Sequence, residues 1–294
     1  RRQRQMCIRD RKRLWNIGII IPSIAAVSIR LHFYFEMTFI DVGQGDGIYM
    51  ETPEGTTVLI DGGSSDNKKL YEYTLEPFLL SKGRKYLDAV IVTHCDNDHI
   101  SGIRKIFTED NIKVKTLYMP STTMTDEVYT ELIELAAESG TDIKYIYEGY
   151  SMTEKDFYMY CLHPEYEYDT SERNDYSTTL YIRYDNFSAL LTGDISGEIE
   201  NNILQKYKDF PQVTILKAAH HGSRFSNTED FIDEFAPQNI VISCGKDNSY
   251  GHPHRETIER FENKGIPWLT TMENGAITVI VNKNNTEINT YLDK

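Results

Sequence analysis

Four potential metal ligands fall within six residues of one stretch, Thr93-His94-Cys95-Asp96-Asn97-Asp98-His99-Ile100-Ser101-Gly102. Imidazole nitrogen and carboxylate oxygen together suit Zn²⁺, Mn²⁺ or Fe²⁺. The stretch follows an apolar run, Ala89-Val90-Ile91-Val92, that reads as a buried parallel strand. A loop leaving that strand can turn His94 and Asp96 toward one ion, and Asp98 and His99 toward a neighbour. Standing alone, these residues would be a polar turn with stray histidines. They do not stand alone: Asp61-Gly62-Gly63, Gly193-Asp194 and His220-His221 each close another apolar run.

The elements that must position these residues follow a regular grammar. Strands are expected at Met37–Val42, Ile48–Glu51 and Thr57–Ile60, and a helix at Leu70–Leu80. After the ligand stretch come a helix from Ile103, a strand at Thr116–Met119 and an amphipathic helix at Asp126–Ser139. Tyr145–Tyr168 is strand-rich, and its tyrosines read as sheet surface and core. The second half repeats the pattern, with strands at Thr178–Tyr184, expected at an edge or half-buried, and at Phe187–Thr192. A helix at Glu198–Tyr207 precedes a strand at Val213–Ala219. The last elements are helices at Asp230–Phe235 and Glu256–Lys264 and strands near Asn239–Ser243, Ala276–Val281 and Glu287–Tyr291. The alternation argues for a layered α/β sheet in one domain, residues 37–294.

Four motifs in order carry a resemblance: Asp41-Val42-Gly43-Gln44-Gly45-Asp46, the ligand stretch, Leu191-Thr192-Gly193-Asp194, and His220-His221-Gly222-Ser223. From about Met37 onward the chain resembles the metallo-β-lactamase fold family. It matches that family's His-x-His-x-Asp-His signature with Asp96 in place of the second His. That variant resembles the hydrolase domain of the ComEC family of DNA-uptake channel proteins.

The resemblance implies an αββα sandwich holding two divalent metal ions, Zn or Mn. His94 and Asp96 would bind the first. Asp98, His99 and one of His220 and His221 would bind the second, and the position before Gly222 favours His221. Asp194 would bridge the two ions; taken alone, Gly193-Asp194 is an ordinary turn. Asp61 would support the ligand loop by hydrogen bonds, and Asp41, Gln44 and Asp46 belong to the same support. Most members supply a further His from the loop that here reads Arg173-Asn174-Asp175-Tyr176-Ser177. Asn174, Asp175 or water must substitute. The first site is then oxygen-rich, which shifts preference toward harder ions such as Mn²⁺.

Such a pair of ions suits hydrolysis of phosphodiesters, lactones, thioesters or amides. Ser223, Arg224 and Ser226 are placed to hold a phosphate, so Ser223 joins Asp98 as a candidate catalytic residue. His252 is a candidate proton donor to the leaving group, with His254 a weaker one. His163-Pro164 reads as a structural turn. Cys95 reads as a small core filler, and Cys7, Cys95, Cys161 and Cys244 form no disulfide framework.

The charge argues the other way. Residues 1–13 carry seven Lys/Arg against one Asp, and residues 14–35 add only Arg30; the net charge is −14, so the body from Glu36 onward carries −21. A body this acidic repels nucleic acid at long range, unless a local basic rim including Lys217, Arg224 and Arg255 offsets it.

The chain begins with Arg, which reads as a piece of a longer protein. Residues 1–13 are expected to be disordered or foreign, since RQRQMCIRDR resembles a translated sequencing adapter. Residues 14–35 read as a short transmembrane-like helix. Lys12 and Arg13 would leave the main domain on the extracytoplasmic side.

Three readings compete. One is a phosphodiesterase or nuclease acting on DNA, most naturally single-stranded, beside an upstream channel region of the same protein. Another is a stand-alone hydrolase of small substrates, such as a lactone, thioester or cyclic phosphodiester. The last is a non-catalytic gating module of a transporter.

Overall fold

The computed structural model describes residues 33–109, 111–283 and 285–292. The adapter-like segment and residues 14–32 of the membrane-like stretch lie outside these. Among the described residues no helix is long and apolar enough to cross a membrane. Strand β1 spans Phe35–Phe39 and is buried throughout. It therefore starts two residues before the expected Met37, and Phe35 belongs to the sheet rather than to a membrane helix.

The first sheet is built from β1, β2 (Ile48–Glu51), β3 (Thr57–Ile60), β4 (Tyr86–Ile91), β5 (Lys113–Pro120) and β6 (Asp142–Ile146), together with β14 (Ile277–Asn282) and β15 (Asn285–Thr290). Its order is β15-β14-β1-β2-β3-β4-β5-β6. Strands β3 to β6 are parallel and the rest antiparallel. The second sheet contains β7 (Ser151–Glu154), β8 (Phe157–His163), β9 (Thr179–Tyr184), β10 (Phe187–Leu191), β11 (Ile215–Lys217), β12 (Asn239–Ile242) and β13 (Trp268–Thr270). Its order is β13-β12-β11-β10-β9-β8-β7, parallel from β10 to β13. Strand β9 lies between β8 and β10. It is interior and mostly buried, where its alternation suggested an edge or half-buried strand.

Three apolar layers hold the sheets and helices together. Phe35, Met37, Phe39, Phe157, Ile182 and Phe187 pack between the sheets. The outer face of the first sheet packs on α1 (Glu76–Ser81), α2 (Asn97–Glu109) and α3 (Glu127–Glu138) through Leu79, Ile100, Ile103, Ile106 and Leu132. The outer face of the second packs on α4 (Gly197–Lys206), α5 (Glu229–Phe235) and α6 (Arg255–Asn263) through Ile199, Ile203, Phe231, Phe235 and Phe261. Helix, sheet, sheet, helix is the expected αββα sandwich. A parallel strand needs a crossover, and the crossover helices must cover the sheet's outer face. The ends of β3, β4, β10 and β11 lead into the candidate ligands, where open α/β sheets place their sites.

Candidate metal centre

His94 and Asp96 sit on the short link from β4 to α2. Helix α2 starts at Asn97, six residues before the expected Ile103. Asp98 and His99 therefore project from its first turn, where a carboxylate is favoured by the helix dipole. The backbone of Gly62-Gly63 runs hard against this turn. Gly62 N donates to His99 O at 2.8 Å and Gly102 N to Gly62 O at 2.8 Å. A Cβ on Gly63 would lie 2.5 Å from the backbone of Asp98 and His99, so only glycine allows the approach.

Asp61 is the anchor of this turn. It is 1% exposed and in the left-handed region at φ 55. Its carboxylate accepts from Thr93 N at 2.8 Å, from Thr93 Oγ1 at 2.7 Å and from His99 Nδ1 at 2.8 Å. That last bond fixes the His99 tautomer and turns its Nε2 toward the cluster. His99 Nε2 lies 3.3 Å from Asp194 Oδ2.

Asp194 follows β10, after Gly193 at φ 54, where a Cβ would meet Ser177 at 2.9 Å. His220 and His221 follow β11 with φ of 50 and 53. Two successive left-handed residues that are not glycine are uncommon, and such strain gathers at functional sites. Asn227 braces the turn through both Ala219 N and Ala219 O at 2.9 Å. His221 is 1% exposed; its Nδ1 donates to Ser243 O at 2.9 Å. Its Nε2 lies 3.3 Å from Asp194 Oδ2 and 3.5 Å from Asp98 Oδ2. His220 is a third exposed, with Nε2 3.9 Å from the same Asp194 oxygen.

The cluster is short of hydrogen-bond partners. His94 Nε2, His99 Nε2, His221 Nε2, Asp46 Oδ1 and Asp194 Oδ1 are all buried with no partner in the protein. Leaving one such group unmade costs about 1–3 kcal/mol. His94, His99 and Asp194 bring ligand atoms within 4.8 Å of one another, as do Asp98, His99 and His221. Imidazole and carboxylate atoms left unpaired and converging in this way fit a divalent metal site.

Electrostatics bind the cluster together. Burial opposes charge on His99 and His221, but facing carboxylates overcome it. His99 is held well above its usual range, and His221 is pushed up to about 10. Asp194, though fully buried, is held well below the usual carboxylate range by both imidazoles.

The comparisons with known proteins agree with this geometry. The model of the Metallo-beta-lactamase superfamily matches residues 40–131. The chain is 34% identical over 255 residues to ComE operon protein 3 of Bacillus subtilis (strain 168), covering 82% of this chain and 32% of that protein. It is 26% identical over 241 residues to competence protein ComA of Neisseria gonorrhoeae, covering 82% of this chain and 31% of that protein. Together the superfamily match and relatives aligned over 82% of the chain fit a ComEC-like metallo-β-lactamase domain. The chain spans about a third of the length of these relatives. Among solved structures, the metallo-β-lactamase fold protein YhfI from Bacillus subtilis has a TM-score of 0.56 at 13% identity, covering 84% of this chain and 99% of that one. It is similar in fold. Proteins of this superfamily are usually metal-dependent hydrolases that hold divalent ions, often two.

The structure brings several of the candidate residues together. His94, Asp98, His99, Asp194 and His221 converge. Asp96 joins them at the edge, its Oδ2 3.7 Å from His94 Nε2. Gln44 ties its turn to the opposite sheet by accepting from Gly245 N at 3.1 Å. Cys95 is fully buried and its thiol is pushed up to about 12 by burial, as a core filler should be. His163 bonds Asp175 O at 2.6 Å and props the loop before β9.

Other expectations need correction. Asp175 does not turn inward: Thr170 Oγ1 donates to it at 3.2 Å and Ser196 Oγ at 3.4 Å. Asn174 Oδ1 is buried without a partner, which leaves Asn174 as the side chain of this pair with unspent ligand capacity. Ser223 is buried, and its Oγ accepts from Phe225 N at 3.3 Å to close a turn. It is not a presented phosphate holder. His252 is pushed down to about 3, chiefly by burial and then by neighbouring imidazoles. That burial disfavours the protonated ring that a proton donor needs. Asp41 lies on an exposed turn, accepting from Gly43 N at 3.3 Å.

Lys217 is the largest departure. Placed on the rim by its charge, it is 1% exposed. Its Nζ lies 2.5 Å from Asp46 Oδ2, 3.2 Å from Gly193 O and 3.9 Å from Asp194 Oδ1. It is thus a fixed cation beneath the cluster, and Asp46 is its counter-ion. Arg173 was missed altogether. It donates to Asp96 Oδ1 at 2.9 Å and to Asp126 Oδ2 at 2.6 Å, joining the incomplete first site to the start of α3. A charged residue flanking the gap left by a missing histidine was the available signal.

Proposed function

We propose that this domain is a metal-dependent phosphodiesterase that cuts DNA, most naturally single-stranded, during DNA uptake. The observation that carries this reading is the set of five buried, unpartnered ligand atoms on His94, His99, His221, Asp46 and Asp194. DNA as the substrate is supported by the likeness to a relative named as a competence protein and by the resemblance to DNA-uptake channel proteins.

His94 and Asp96 would hold one divalent ion, Asp98, His99 and His221 a second, and Asp194 would lie between. Ions bound there supply Lewis acidity and an activated water. The protein's own part is positioning. Asp61 and Ser243 O aim the imidazoles, Lys217 offsets the carboxylates, and Arg173 steadies Asp96. Asp96 makes the first site oxygen-rich, which favours Mn²⁺ over Zn²⁺. In this reading the domain lies on the extracytoplasmic side, joined through residues 14–35 to an upstream channel region. Membrane residues in that stretch would have to end before Phe35, where β1 begins.

A stand-alone small-molecule hydrolase is the second reading, favoured by the net charge of −14. Cleavage of an oligonucleotide, a chromogenic phosphodiester and a lactone by one preparation with Mn²⁺ separates the two. Lactone turnover without phosphodiester turnover selects the second.

A further inference from the structure

A cavity of about 710 Å³ opens beside His252, between α6, β13, the short helix α7 (Thr271–Asn274) and the loop 246–253. Its volume lies in the range of ligand sites. Ile258, Trp268 and Met272 line it, half-buried against the core of the second sheet. We infer that this cavity is a nucleobase subsite, taking the base of a nucleotide whose phosphate lies at the His/Asp cluster. The inference rests on the phosphodiesterase reading and adds how that site would tell a nucleotide from other phosphodiesters.

Three observations carry it. The first is continuity. His252 lines the cavity, and its ring lies 5.3 Å from that of His220 and 6.0 Å from that of His221. His252 thus separates the cluster from this space by the width of one ring, a span that a nucleotide held at the cluster can cross. His252 is 8% exposed, and its Nδ1 has no partner in the protein.

The second is the character of the walls. Trp268, half-buried, contributes an indole to the lining, and stacking on an indole is open to every base. Tyr250, 56% exposed, is stacked on His252 at 5.7 Å and 18° and extends the aromatic surface outward. Asp247 and Glu273 outnumber Lys246 in the lining. That charge disfavours a phosphate inside the cavity and accepts the amino hydrogens of a base.

The third is rigidity. Asn248 donates to Gly245 O at 2.9 Å and to His252 O at 2.5 Å, and accepts from His252 N at 3.0 Å and Tyr250 N at 3.2 Å. The loop is preorganised, so little ordering cost falls on the ligand.

The test uses the full chain carrying Trp15→Phe, which leaves Trp268 as the sole tryptophan. In chelator, where turnover is prevented, deoxyadenosine 5′-monophosphate should change Trp268 fluorescence saturably and deoxyribose 5-phosphate should not. With metal restored, kcat/KM is compared between a dinucleotide and its abasic analogue. The ratio should fall about 5- to 100-fold in Trp268→Leu. It should fall likewise in Ile258→Phe, which fills the cavity instead of enlarging it. An equal response to both phosphates, or a ratio unchanged in both variants, overturns the subsite while leaving the phosphodiesterase intact. If the wild type cleaves neither compound, the phosphodiesterase reading fails, and the fluorescence contrast alone decides the subsite.

Discussion

The Nε2 atoms of His99 and His221 each stop 3.3 Å from one oxygen, Asp194 Oδ2. Both rings are aimed from behind, His99 by Asp61 and His221 by Ser243 O. Neither has a hydrogen-bond partner at Nε2. Without metal, both imidazoles are pushed toward their charged form by Asp194 and its carboxylate neighbours. A divalent ion entering between them must displace protons.

Metal affinity should therefore rise with pH across the neutral range, with net proton release on binding. His221 is raised to about 10. In the metal-free protein its stabilising contribution is full below the unfolded histidine value of about 6.5. It is lost as pH climbs toward 10. Calorimetric titration with Mn²⁺ in two buffers of different ionisation enthalpy measures the release. Identical heats in both buffers would contradict it.

Asp61→Asn should uncouple the anchor from the ligand. The variant loses a charged acceptor of three hydrogen bonds, at a cost of about 2–4 kcal/mol. Metal affinity should fall about 10- to 100-fold as His99 loses its orientation. Denaturant unfolding and metal titration read the two effects separately. A loss of stability with unchanged affinity would reduce Asp61 to a core residue.

Lys217→Met should strip buried Asp46 of its nearest counter-charge, leaving only the His221 and His99 rings at 3.7 and 3.8 Å. Breaking one side of such a pair costs about 3–5 kcal/mol. The double variant Lys217→Met/Asp46→Asn should recover much of that loss, because no lone charge remains. Urea unfolding of the two singles and the double gives the coupling. Additive losses would mean that the 2.5 Å contact carries no weight.

Asp96→His should restore an imidazole to the first site and release Arg173 from the contact at 2.9 Å. Activity supported by Zn²⁺ should rise relative to Mn²⁺. Reconstitution of stripped protein with each ion reads the ratio. A ratio unmoved by the substitution would sink the argument from ligand hardness.

The layers and the ligand loops were legible because their signals are local. Val90-Ile91-Val92 before His94, and Leu190-Leu191 before Asp194, mark buried strands by composition alone. The start of α2 was hidden because Asn97-Asp98-His99 has loop composition; tertiary contact with Gly62-Gly63 holds it helical. Strand β13 escaped because three residues after a proline carry no periodicity. Lys217 misled for a physical reason. Lysine is almost never fully buried unless paired, and its partner Asp46 lies on the other sheet's turn, far away in sequence. Arg173 and Asp96 were each visible, but nothing local joins them.

The most direct measurement is cleavage of a single-stranded oligonucleotide with Mn²⁺ by the full chain, compared with Asp98→Ala prepared identically. Asp98 is partly open to solvent and lies 3.5 Å from His221 Nε2, so its loss should leave the core intact. The account predicts metal-dependent cleavage by the wild type and a fall of at least about 100-fold in the variant, with both proteins folded by circular dichroism. Equal cleavage by both, or none by a metal-loaded wild type, would contradict it.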